Sequence, residues 1–261
     1  MKKSIYILSI TLLFVALALN SCDKEPDTPP VLPPESSLIA DFSDFNDSPD
    51  KATYANFGYS VTNVMVWNVF ITVGLAIPVA SYAEAVQNHE PVYQSNETWL
   101  WSFDFSVLGI THTADLYGSL VNDSSEWKMY ISKEGVCNDF LWYKGKSALN
   151  NSGGYWIMYE SQSNDVELLQ IDWESNGTSG NIRYTNIKKS AKEINGYILY
   201  GNDNTEGEFS NYYTIYNSVE EQLTEIEWDK ASKAGHVRDT THFEDQDWHC
   251  WNENLEDIDC E

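Results

Sequence analysis

Positive charge is what this chain has least of: 15 Lys and Arg stand against 40 Asp and Glu, a formal net charge of −25 over 261 residues. That excludes most modes of nucleic-acid binding, which rely on Lys and Arg to neutralise phosphates and release counterions. An anionic bilayer surface repels such a domain for the same reason. Catalytic signatures are missing as well. There is no Gly-x-Ser-x-Gly elbow and no His-Glu-x-x-His pair, and a phosphate loop ending at Gly145-Lys146-Ser147 fails because its first glycine position holds Phe140. Cysteine is scarce, at 4 residues, and the spacing of the C-terminal Cys, His and Asp residues matches neither a zinc finger nor an EF-hand loop.

Long hydrophobic runs are also few, and one is present. Between Lys51 and Glu84 no side chain is charged, and Ala55 to Ala83 is rich in Val, Ile and Leu. Val61, Val64, Met65, Val69 and Val73 follow the i, i+3, i+4 spacing of a helix face, interrupted by Asn68 and Thr72, and Pro78 after Gly74 marks the expected end. The rival readings are a membrane span, for which about 20 apolar residues suffice, and a pair of strands, since Val, Ile, Phe and Trp favour sheet too. Asn63, Asn68, Gly74 and Pro78 inside the window favour a buried core helix near 60–75.

Residues 1–21 read as a signal peptide, with Lys2 and Lys3 before the apolar Ile5 to Leu19. Leu19-Asn20-Ser21-Cys22 closes it and resembles the bacterial lipobox, which implies that Cys22 carries the lipid. Asp23-Lys24-Glu25-Pro26-Asp27 resembles the acidic segment after the lipidated cysteine in Bacteroidetes-type lipoproteins. That resemblance implies an outer-membrane lipoprotein facing the cell surface, held to the membrane through its N-terminal lipid. Pro26, Pro29, Pro30, Pro33 and Pro34 then make residues 22–37 an extended tether. A single β-rich domain is expected over 38–261, long enough for a sizeable core.

From Thr98 the period is two. Trp99, Trp101, Phe103, Phe105 and Val107 alternate with small or charged residues, which gives one dry and one wet face. Similar runs follow at 111–121, 126–132, 139–144, 155–160, 167–174, 181–187, 197–200, 211–216 and 223–228, separated by turn residues such as Asn151-Ser152-Gly153-Gly154 and Ser175-Asn176-Gly177. The expected fold is therefore mainly β within the α+β class: an antiparallel meander of about ten strands, strongly curved or barrel-like, wrapped around one apolar helix. This is similar in architecture to half-barrel envelope lipoproteins that carry lipids or lipoproteins. Taken whole, the chain also resembles small Bacteroidetes envelope lipoproteins, and neither resemblance carries an activity. Trp127, Trp173 and Trp228 each have acidic neighbours. The expectation is that the indoles face the core and the acids face water.

Cys250 and Cys260 bracket a short loop and are expected to be bonded in an oxidising envelope, leaving Cys137 as a thiol at a strand end. Asp245, Asp247, His249, Asp257 and Asp259 are the candidate ligands for a metal, with calcium the ion their oxygens suit; no motif implies another cofactor. The expected function is non-enzymatic binding or structural work in the envelope, with a small ligand, a glycan or an envelope protein as partner. The alternative is a hydrolase of envelope glycan or lipid using a carboxylate pair, Asp172 with Glu174 or Glu225 with Glu227, since i and i+2 on a strand share a face.

Overall fold

The structure is a computed structural model describing residues 28–45, 55–202 and 209–260. The leader, Cys22 and the acidic segment after it lie outside the described residues. One antiparallel sheet dominates. Its strands are β1 (Val92–Ser95), β2 (Thr98–Val107), β3 (Ile110–Val121), β4 (Ser124–Lys133), β5 (Cys137–Ala148), β6 (Gly153–Ser161) and β7 (Asn164–Ser175). They continue as β8 (Gly180–Asn186), β9 (Tyr197–Gly201), β10 (Asn211–Asn217), β11 (Gln222–Trp228), β12 (Gly235–Arg238), β13 (His249–Trp251) and β14 (Asp257–Ile258). Each strand pairs with the next in sequence, in the order β1 to β14.

The expectation of about ten strands in a strongly curved or barrel-like sheet is corrected on both counts. The sheet has 14 strands and is open: β1 and β14 are its two edges and do not pair. The ten strands expected are all present. The four added ones, β1, β12, β13 and β14, run only two to four residues, too short for an alternation to be read.

One face of the sheet is covered by the rest of the chain. Trp99, Trp101, Leu116, Trp127, Met129, Tyr143, Trp156, Ile171, Trp173, Tyr184, Tyr213, Ile226, Trp228 and Trp251 are buried on it. Their intervening neighbours, such as Glu126, Asp172, Glu225 and Glu227, point to the outer face, as the period of two requires. Indoles are too bulky for a side chain to sit directly across the ladder from each of them, and glycine makes the room. A Cβ on Gly118 would lie 2.5 Å from the ring of its cross-strand partner Trp127, and one on Gly145 would lie 2.3 Å from Trp156.

The apolar segment forms two helices, α1 (Ala55–Gly74) and α2 (Ala76–Asn88), bent by 63°. α1 ends at Gly74, as expected, but the chain does not leave the helical state at Pro78. Pro78 lacks an N–H for the Gly74 carbonyl four residues back, so the axis breaks there and the chain resumes as α2. The α1 N-terminus is capped from far along the chain, by the Asp257 carboxylate accepting from the amides of Ala55 and Asn56 at 3.0 Å each. Burial is also narrower than expected. Phe57, Ser60, Val64 and Ile71 are buried, whereas Val69 and Val73 of the anticipated core face are exposed.

Residues 30–45 complete the covering layer. Leu38, Ala40, Phe42 and Phe45 are buried, and the short 3-10 turns Glu35–Ser37 and Ser43–Phe45 bend the segment over the sheet. Core polar groups pin it. Tyr82 donates to the Pro33 carbonyl at 2.7 Å, Trp156 Nε1 to Ser37 Oγ at 3.1 Å, and Trp228 Nε1 to Asp44 at 3.2 Å. Residues 30–37, which the proline count placed in a free tether, are thus bound to the domain.

Candidate functional site

Among the described residues, the covering layer leaves a recess on the inner face beside β7 to β9. Its floor is three cross-strand neighbours, Trp173 on β7, Ile182 on β8 and Tyr200 on β9. Its roof is Ser36 to Asp41, held down where Tyr184 Oη donates to the Leu38 carbonyl and accepts from the Ala40 amide at 2.7 Å. The β7–β8 turn, Ser175 to Gly180, forms the mouth. The volume is about 300 Å³, at the lower end of ligand pockets.

A second feature lies on the helical layer. Met65, Val66, Val69, Phe70 and Val73 are exposed on the C-terminal half of α1, with Val66 at 68% and Val73 at 72% of full exposure. Trp67 stands edge-on to Phe70 at 6.1 Å. Neighbouring apolar side chains left bare in this way mark interaction surfaces, not ordinary scattered surface hydrophobics.

The acidic pairs are not brought to either feature as a catalytic couple. Glu225 is bonded to Arg238 at 2.8 Å and Glu227 to His236 at 3.1 Å, both on the outer face. Asp172 accepts from Gln170. Glu174 is exposed at the mouth of the recess. A general acid needs a carboxyl raised by an apolar setting, and among the described residues the four with a resolved shift, Asp41, Asp229, Asp239 and Asp245, all move down.

Asp239 is the one buried carboxyl among the described residues, at 1% exposure. Burial pushes it up, but hydrogen bonds from Thr224, Tyr59 at 2.8 Å, Gln222 at 2.9 Å and the His242 amide more than offset this, so it stays charged. It caps the short helix α3 (Thr240–Phe243) and ties α1 to β11. Burial and this carboxylate together push Tyr59 up to about 12, so its hydroxyl remains a donor.

Of the candidate metal ligands, Asp245 and His249 pair at 3.1 Å, Asp257 is the α1 cap, and Asp247 and Asp259 join neither. Among the described residues no three His, Cys, Asp or Glu side chains converge on a metal position. Cys250 and Cys260 are bonded, with Cα atoms 5.4 Å apart, and Cys137 is a half-buried free thiol. Sequence reasoning missed the recess because only the first part of its roof, Ser36 and Ser37, was assigned to the tether, and the rest, though placed in the domain, carries no pattern that shows where the covering layer leaves a gap. No protein-family model, no curated protein and no solved structure matches this chain.

Proposed function

We propose that this chain is a non-enzymatic, lipid-anchored protein of the bacterial cell envelope, facing the cell surface, that lies against its membrane through the bare end of α1. The observation that carries this reading is the exposed stripe Met65, Val66, Val69, Phe70 and Val73 on a domain otherwise dominated by acidic residues. No charge interrupts residues 52–83, so this is the surface that can enter the acyl region without burying an ion. Trp67 and Phe70 are the kind of aromatic pair that settles at a bilayer interface.

The position of the anchor favours the same arrangement. Pro30 is buried on the domain, only eight residues after Cys22. A chain of that length reaches at most about 29 Å when fully extended, so an acylated Cys22 holds the domain close to the bilayer. The acidic charge makes a zwitterionic surface a better host than an anionic one.

The test is the full-length protein in phosphatidylcholine vesicles, with Cys137→Ser removing the free thiol and Val73→Cys carrying an environment-sensitive fluorophore. The label at position 73 should shift to the blue and be quenched by spin-labelled lipid, while one at Val219, in the β10–β11 turn, should do neither. An unquenched label at 73, or quenching only by label on a second copy, would sink the reading.

A further inference from the structure

The outer face of the sheet is the one that α1, α2 and residues 30–45 leave uncovered, and two recesses open on it. The first, of about 420 Å³, is lined by Ser119, Glu126, Tyr117, Lys128, Tyr130 and Asp139. The second, of about 580 Å³, lies over Ala148 and Gly153 and is bordered by Asp172, Glu174 and Arg183. Strand register sets them on one line. Ser119 on β3 stands opposite Glu126 on β4, Glu126 opposite Lys146 on β5, and Lys146 opposite Tyr155 on β6. Tyr155 in turn stands opposite Asp172 on β7, and Asp172 opposite Arg183 on β8. With strands about 4.8 Å apart, these six positions form a track of roughly 24 Å across the sheet, Lys146 and Tyr155 lying between the two recesses.

The side chains along the track are held in place by their neighbours. Tyr117 and Tyr130 are half-buried and meet edge to face at 5.8 Å. The Arg183 guanidinium lies 3.8 Å over the Tyr197 ring, Asp172 accepts from Gln170 at 2.8 Å, and Lys146 is 3.9 Å from Glu126. Tyr155 keeps its ring open, at 37% exposure. Charge is nearly balanced here: Lys128, Lys146 and Arg183 face Glu126, Asp139, Asp172 and Glu174, whereas the whole chain has 15 basic against 40 acidic residues.

That balance selects the ligand. A polyanion would meet four carboxylates, and a hydrocarbon would strip water from seven charged groups. An extended peptide adds to the edge of a sheet and not to its face, and a second copy of this chain brings another −25 of charge. A sugar hydroxyl both donates and accepts, so it pairs with either sign, and tyrosine rings offer flat apolar faces to a sugar ring. We propose that the outer face binds a neutral glycan chain lying across β3 to β8, its rings against Tyr117 and Tyr155 and its hydroxyls shared among Glu126, Lys146, Asp172 and Arg183. This stands on the register and the two recesses and does not depend on the membrane reading, although a domain lying on its membrane through α1 turns this face to the medium.

The test titrates the full chain, in a detergent that carries no sugar, with linear hexamers and dimers of β-1,4-glucose, β-1,4-mannose, β-1,4-xylose and α-1,4-glucose, and with the acidic hexamer of galacturonate. Binding is read by calorimetry and by backbone amide resonances. At least one neutral hexamer should bind saturably and move the amides of Ser119, Lys146 and Arg183 together, and its dimer should bind about tenfold more weakly or worse, since it spans one recess only. Tyr155→Ala, a change at an exposed position, should weaken the hexamer about tenfold through the lost ring face. The proposal is overturned if no neutral hexamer binds, if only the galacturonate hexamer does, if the shifted amides lie off this track, or if dimer and hexamer bind alike or Tyr155→Ala leaves the affinity unchanged.

Discussion

At the scale of single residues, the domain relies on groups whose surroundings leave them no freedom. Asp239 receives hydrogen bonds from Tyr59, Gln222, Thr224 and two amides of α3, so Asp239→Ala strands several buried donors at once. Urea unfolding at neutral pH should show a loss of roughly 2–4 kcal/mol. Because its folded pKa lies below the ordinary 3.8, its charge contributes stability that is present above that value and lost as pH falls through the folded one. The stability gap between wild type and Asp239→Asn should therefore narrow below about pH 4; a gap constant with pH would mean the carboxylate acts by shape alone. Gly145 is constrained in the opposite way, by want of space. With a Cβ 2.3 Å from the Trp156 ring and 2.5 Å from the Tyr155 carbonyl, Gly145→Ala should cost about 1–3 kcal/mol, whereas Gly74→Ala, with nothing within 4 Å, should leave the thermal midpoint unchanged or slightly higher.

At the scale of elements, the termini of the domain hold each other. Asp257 on β14 caps α1, and β14 is a two-residue edge strand kept in place by pairing with β13 and by the Cys250–Cys260 bond. Cys260→Ser should thus loosen an element some 200 residues away in sequence. Amide exchange at Ala55 and Asn56 should quicken together with the β14 amides, and global stability should fall by about 2–3 kcal/mol; faster exchange confined to β14 would show that the cap does not depend on the disulfide. The cap was illegible in the sequence, because Ala55 has no capping residue before it that pattern alone would single out and Asp257 is one of many acids. Strands β2 to β11 were legible for the converse reason. Each is half-buried, so the alternation of Trp99, Trp101, Phe103 and Phe105 is the physical signature of the covered face itself. Helix α1 was legible in type but not in orientation. With apolar residues on every side, its sequence does not say which of Val64 and Val73 meets the sheet, and tertiary packing chose Val64.

At the scale of the whole molecule, one open sheet carries a dry layer on one face and most of its charge on the other. The few cations are spent on the outer face and at its margins, in Lys144–Glu167 at 3.0 Å, Lys188–Glu160 at 2.9 Å and Arg238–Glu225 at 2.8 Å. These pairs are partly exposed, and such pairs are individually worth at most about 1 kcal/mol. The opposing effect is collective. With 40 acids against 15 bases, most carboxylates have no cation to meet, and their mutual repulsion acts on the compact state as a whole. Salt weakens both effects, so the sign of its influence on stability shows which is larger. Raising sodium chloride from about 0.01 M to 0.15 M shortens the screening length from roughly 30 Å to 8 Å, which removes repulsion between distant acids while contacts near 3 Å lose less. The thermal midpoint should therefore rise with salt over this range. A midpoint that falls with salt would show that the few ion pairs outweigh the excess negative charge, and that the acidic surface is held together by its rare cations.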